Sequence, residues 1–254
     1  MTRRPLVAVS LKAYLGAADT ERWLTEVAEV ADAAAAGAVE LAVLPSFPLL
    51  PAAARLLAGT RVAWGAQDVA PGAQGAQTGE VTAALLAELG CRFAVVGHAE
   101  RRAAFHEDDD VVRAKVARLA EAGLTPLLCV GEEHQVAPQD AAAVAADQLE
   151  SALRGSATRD VVVGYEPVWA IGAPRPAPAE HVVTVVHALR ERLDALGVEG
   201  RVVYGGAAGP GTLTALAGAV DGVFLGRFAH DVAALRDVLD EAAAARPADS
   251  AARP

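Results

Sequence analysis

Short β-branched runs recur eight times along this chain, and a longer stretch of Ala, Leu and charged residues follows each. The runs are Leu6–Ser10, Glu40–Leu44, Arg61–Ala66, Phe93–Val96, Thr125–Val130, Val161–Tyr165, Arg201–Tyr204 and Gly222–Leu225. The helical patterns are Thr20–Ala35, Pro48–Leu57, Val81–Leu89, Asp109–Ala122, Asp140–Leu153, Ala179–Ala195, Thr212–Ala217 and Val232–Ala244. Such alternation is the mark of βα units around a parallel, buried sheet. Eight units in about 245 residues predict an α/β fold: a closed (β/α)8 barrel of eight parallel strands with outer helices. An open doubly wound sheet is the rival. Its Gly-rich dinucleotide turn is missing from the first βα connection, Ser10-Leu11-Lys12-Ala13-Tyr14. One barrel domain is expected over residues 1–244, with 245–254 as a frayed tail of Ala, Arg, Pro and Asp. Asp19 or Thr20 is placed to cap the first helix, and Gly37, Gly90, Gly123 and Gly197 to end helices in a left-handed residue.

Composition narrows the partners. The formal charge of −10 argues against nucleic acid or an anionic membrane, while leaving room for a positive pocket that takes an anionic substrate. Hydrophobic residues make up 53% and aromatics only 4%, so the core must be built from Ala, Val and Leu. No apolar stretch approaches the roughly 20 residues of a membrane span. The four apolar residues Leu6 to Val9 are too few for a signal-peptide core, so a cytoplasmic protein is expected. Cys91 and Cys129 each lie in an apolar run and read as buried free thiols.

In barrels of this kind the chemistry sits at the C-terminal ends of the strands. Strand one delivers Lys12, strand four ends in Gly97-His98-Ala99-Glu100-Arg101-Arg102, and strand six in Tyr165-Glu166-Pro167-Val168-Trp169-Ala170-Ile171-Gly172. The segments around His98 and Glu166 resemble the two most diagnostic motifs of the triosephosphate isomerase family. Gly65-Ala66-Gln67-Asp68 with Gly75-Ala76-Gln77-Thr78-Gly79-Glu80, Cys129-Val130-Gly131-Glu132 and Tyr204-Gly205-Gly206 are similar to it as well, in order along nearly the whole chain.

The resemblance implies the TIM barrel and an isomerase without a cofactor or metal. It assigns Glu166 as base on the C–H, His98 as acid at the enediolate oxygens, Lys12 as positive electrostatic partner, and Ser10 and Glu100 as supporting residues. The resemblance also implies a carboxylate base working with a neutral histidine, the imidazole kept neutral by N–H groups of the helix that follows it. The implied phosphate site comprises Gly172, Gly206, Ala207, Gly226 and Arg227, and the lid is Pro167, Val168, Trp169, Ala170 and Ile171. A homodimer is implied too, through a loop carrying Gln74, Gly75 and Thr78.

Bland readings compete at several positions. A lysine after a strand is usually a solvated charge, and Glu166-Pro167 could merely terminate a strand. His106, His134, His181 and His187 show no ligand spacing and read as surface or packing residues, and His230 beside Asp231 reads as the opening of the last helix. Glu132-Glu133-His134 lacks anything to complete a metal site. Arg101 and Arg102 are expected in ion pairs. Four places depart from the family pattern: Ser10 replaces Asn, the lid tip is Gly172-Ala173-Pro174-Arg175-Pro176, Ala207 replaces Ser and Arg227 replaces Gly. All lie at the barrel mouth. They point to a branch acting on a four-carbon erythrulose phosphate, with a triosephosphate isomerase as the alternative and a barrel that only binds sugar phosphate as the remote one.

Overall fold

The computed structural model describes residues 4–34 and 38–244. Eight parallel strands close into one barrel in chain order. They are β1 Leu6–Ser10, β2 Glu40–Leu44, β3 Ala63–Ala66, β4 Phe93–Val96, β5 Thr125–Val130, β6 Asp160–Tyr165, β7 Glu199–Tyr204 and β8 Gly222–Leu225. Closure is explicit in the register, where β1 pairs β2 through Leu6↔Glu40 and β8 through Leu6↔Gly222.

Around them lie α1 Ala17–Ala34, α2 Leu50–Leu56, α3 Ala83–Glu88, α4 Ala99–Phe105, α5 Asp109–Glu121, α6 Pro138–Leu153, α7 Ala179–Leu196, α8 Thr212–Ala215 and α9 Val232–Ala244. The expected tail at 245–254 and the cap at Gly37 lie outside the described residues.

The two faces of each strand explain the composition. Leu6, Ala8, Ala42, Leu44, Phe93 and Phe224 point into the barrel, where large and small side chains alternate to fill it. Val7, Val9, Leu41, Val43 and Val163 point outward against the helices. Both faces are apolar, which is why the strands read as continuous runs. The same two-residue period carries Ser10 on from Leu6 and Ala8, and Glu166 on from Val162 and Gly164, to the inner side at the mouth.

Several boundaries differ from expectation for local reasons. The strand expected from Arg61 starts at Ala63, because the Thr60 hydroxyl takes the Val62 N–H. The first helix begins earlier, the Gly16 carbonyl receiving the Thr20 N–H. Asp19 therefore sits inside the first turn and pairs with Arg22, so neither Asp19 nor Thr20 is the cap. Thr82 caps α3 by accepting the Leu85 N–H, and α8 stops short where Ala217 turns left-handed at φ 46°. Helix α9 is opened by Asp231, whose Oδ1 accepts the Ala233 N–H at 2.9 Å, while His230 ends a preceding short 3-10 turn. Gly90, Gly123 and Gly197 do close their segments with positive φ.

Helix α4 had no counterpart in the periodicity. It buries no residue and is held by ions instead. Arg101 reaches Glu107 at 2.6 Å and Asp68 at 2.9 Å, and the buried Lys115 binds both acids at 2.6 Å. Arg102 pairs with Asp109 at 2.7 Å and donates to the Gly97 carbonyl. This network fixes the helix that follows His98.

Candidate active site

Lys12 leaves β1 in the left-handed region, at φ 48°. That conformation costs a non-glycine residue about 1–2 kcal/mol and is held here by hydrogen bonds. The Ser46 hydroxyl and the Gln67 amide both donate to the Lys12 carbonyl, at 3.1 and 3.0 Å, and Ser10 Oγ accepts the Lys12 N–H at 3.4 Å. The strained turn aims the ammonium across the mouth to Glu100 Oε1, at 2.5 Å.

His98 caps α4, and its Nδ1 accepts the Glu100 N–H at 3.1 Å. An Nδ1 that accepts carries no proton, so the ring proton resides on Nε2. Nε2 faces Glu166 Oε1 at 3.6 Å. Of the helix N–H groups expected to point at the ring, that of Glu100 makes a hydrogen bond to it.

Glu166 is 4% exposed, and its Oε2 is buried without a hydrogen-bond partner among the described residues. Burial pushes its carboxyl above the ordinary range, opposed by His98, Lys12 and a hydrogen bond with the Cys129 thiol. Both cysteines are buried and free, and burial, then Glu166, holds the Cys129 thiol well above its usual value. A desolvated carboxylate beside a proton-bearing imidazole can accept a proton from carbon while the imidazole gives one to oxygen.

Neighbouring backbone makes room for this side chain. A Cβ at Gly205 would stand 2.7 Å from Glu166 Cγ, and one at Gly131 would stand 2.0 Å from the Glu166 carbonyl oxygen. Glycine is required at both. The Val130 carbonyl accepts the Glu166 N–H at 2.8 Å and that of Glu132 accepts the Val168 N–H at 3.0 Å, so the end of β5 braces the segment from Glu166 to Val168.

Ser10, Lys12, His98, Glu100 and Glu166 line one cavity of about 830 Å³. Gly172, Gly206, Ala207, Gly226 and Arg227 line it too, as do Ile171 and Tyr14. The Arg227 guanidinium lies 6.0 Å from the Tyr14 ring centroid, and Tyr14 meets His230 edge-on at 5.4 Å. Of the other residues expected in the lid, Pro167, Val168, Trp169 and Ala170 do not line the cavity, and Val168–Ala170 form a 3-10 turn. Further along the same connection, before α7, the Ala177 N–H donates to the Tyr204 hydroxyl at 3.0 Å. Gln74, Gly75 and Thr78 lie elsewhere, on an exposed loop whose base is closed by the Ala70 N–H on the Val81 carbonyl.

Three features escaped the sequence reading. Gln67 and Ser46 brace Lys12, and the Cys129 thiol is a hydrogen-bonding neighbour of the Glu166 carboxylate. Glu132 does not keep company with the exposed Glu133 and His134 but turns inward, with His181 on its carboxylate at 2.9 Å. His181, expected as a surface or packing residue, is thus a buried hydrogen-bonding one, at 5% exposure. A polar residue at a helix-buried position was the available signal.

Among known proteins, the family model described as triosephosphate isomerase matches residues 5–242. The L-erythrulose-1-phosphate isomerase of Pectobacterium atrosepticum is 44% identical over 250 residues, covering 95% of this chain and 96% of that protein. The triosephosphate isomerase of Thermus thermophilus is 40% identical over 217 residues, 82% of this chain and 86% of its own length. That of Bordetella pertussis is 46% identical over 184 residues, 71% and 74% respectively. With its closed eight-stranded barrel and its carboxylate–imidazole pair at the mouth, the chain belongs to the triosephosphate isomerase family and is a phosphosugar isomerase.

Proposed function

We propose that the protein interconverts L-erythrulose 1-phosphate and D-erythrulose 4-phosphate through an enediol shared by C2 and C3. The Glu166 carboxylate carries the chemistry, its Oε2 buried and unpartnered among the described residues and its Oε1 3.6 Å from His98 Nε2. Glu166 takes the proton from C3, and His98 Nε2–H protonates the oxygen on C2. His98 then recovers a proton from the oxygen on C3 as Glu166 returns its proton to C2, moving the carbonyl by one carbon. Lys12 offsets the negative charge that grows on the oxygens. Glu100 tethers Lys12 and, through its N–H, orients the imidazole.

The choice of a four-carbon sugar is supported by where the chain differs from the triose pattern. Ser10 is short and leaves space beside Lys12 for a hydroxymethyl group. Ala207 has no hydroxyl to offer a phosphate, while Arg227 brings a forked cation to the same cavity. Backbone N–H groups at Gly172, Gly206 and Gly226 complete the phosphate cradle. The likeness to an erythrulose-phosphate isomerase over 95% of the chain points the same way.

Incubation with L-erythrulose 1-phosphate in deuterium oxide tests the reaction class. The product is expected to carry deuterium at the carbon that received the proton, because the Glu166 carboxyl exchanges with solvent. Binding of the sugar phosphate with neither product nor deuterium would mean a barrel that only binds.

The fold would work as a homodimer, the exposed loop bearing Gln74, Gly75 and Thr78 entering a recess of the second copy near its mouth. Support comes from Tyr14 and Phe105, large side chains left 56% and 64% exposed. Analytical ultracentrifugation at micromolar concentration should give twice the chain mass; a single-chain mass would contradict the dimer.

A further inference from the structure

The Glu132 carboxylate is 3% exposed and accepts from three side chains. The Tyr165 hydroxyl donates at 3.1 Å, Trp169 Nε1 at 2.8 Å and His181 Nε2 at 2.9 Å. An ionised carboxylate only accepts, so the His181 proton is on Nε2. Trp169 belongs to the first hinge of the lid. His181 belongs to the first turn of α7, which takes up the chain directly after the lid. Their rings also meet edge to face, with centroids 5.6 Å apart at 89°. The two ends of one lid therefore converge on a single buried charge. That charge is anchored to the end of β5, which also carries the backbone contact to Val168.

His181 does not line the cavity and has no part in the proton transfers. We infer that His181 is a positioning residue for the lid: its hydrogen bond fixes the Glu132 carboxylate, which in turn sets the Trp169 hinge from which the lid closes. A buried carboxylate that loses one donor reorients to recover a partner, and the shared acceptor shift moves the indole. The lid then covers the enediolate less completely. The inference rests on the isomerase reading and is independent of substrate length.

Two substitutions separate the hydrogen bond from mere bulk. His181→Phe keeps a ring against Trp169 but has no N–H, whereas His181→Gln keeps a donor and loses the ring. Both are assayed with whichever of L-erythrulose 1-phosphate or dihydroxyacetone phosphate the parent turns over faster. Inorganic phosphate release is measured alongside isomerisation. An unshielded enediolate loses phosphate because its electrons form a new C=C bond as the neighbouring C–O bond breaks and its pair departs with the phosphate.

The Phe variant is expected to lose about tenfold in kcat, with KM changed much less, and to release about tenfold more phosphate per isomerisation. The Gln variant should recover to within about threefold of the parent. If circular dichroism shows that His181→Phe has not folded, His181→Ala takes its place. Parent-like kcat and phosphate release in the donor-less variant would overturn the inference, as would a Gln variant as impaired as the Phe one. Failure of the parent to turn over either sugar would instead overturn the isomerase reading.

Discussion

We expect Glu166→Asp to fold as the parent does and to lose about 10²–10³ in kcat. The substitution keeps the carboxylate and its charge but withdraws it by one methylene, and proton abstraction from carbon tolerates little error in distance. The backbone around it is braced independently of the side chain, through the Val130 and Glu132 carbonyls, so the barrel has no reason to change. Retention of more than half the parent rate would remove Glu166 from the role of base. The same residue sets a pH dependence. Only the ionised carboxylate can accept the proton, and burial raises its pKa above the ordinary carboxylate value. Activity should accordingly be lost as pH falls through that raised value, giving kcat/KM an acid limb displaced upward from the usual carboxylate range.

Much of this architecture is legible in the order of residues because each strand is buried on both faces. Runs such as Leu6–Ser10 and Phe93–Val96 have one apolar reading and the structure keeps their bounds. Ends built from polar residues were less legible. Asp160 and Glu199 extend β6 and β7 by pairing with each other across the sheet, which neither residue type advertises. Helix α4 was invisible to hydrophobic periodicity because ion pairs from Arg101 and Arg102 hold it. The candidate site was readable where a motif is contiguous, as at His98 and Glu166. It was unreadable where support comes from afar, as with Gln67 on the Lys12 carbonyl or His181 on Glu132, 49 positions away.

Ser10→Asn is the substitution with the largest expected effect on specificity. Ser10 is 6% exposed and lines the cavity next to Lys12, so an added amide must project into the space where a fourth carbon would lie. Occupying that space should cost the tetrulose phosphate about 1–3 kcal/mol, or ten- to more than a hundredfold in kcat/KM, and spare the triose. Were Ser10 simply tolerated in a triose enzyme, with water standing in for the longer amide, the variant would change both substrates little and alike. The double comparison, two substrates on two proteins, separates loss of space from general damage to the site.

The central claim is that a triose-type proton-transfer site here serves a four-carbon sugar. It is tested most directly by kcat/KM of the unmodified protein for L-erythrulose 1-phosphate and for glyceraldehyde 3-phosphate, measured side by side. A preference for the erythrulose phosphate is the predicted result. A preference for the triose, at the diffusion-limited efficiency of about 10⁸ M⁻¹s⁻¹ that such enzymes reach, would contradict it.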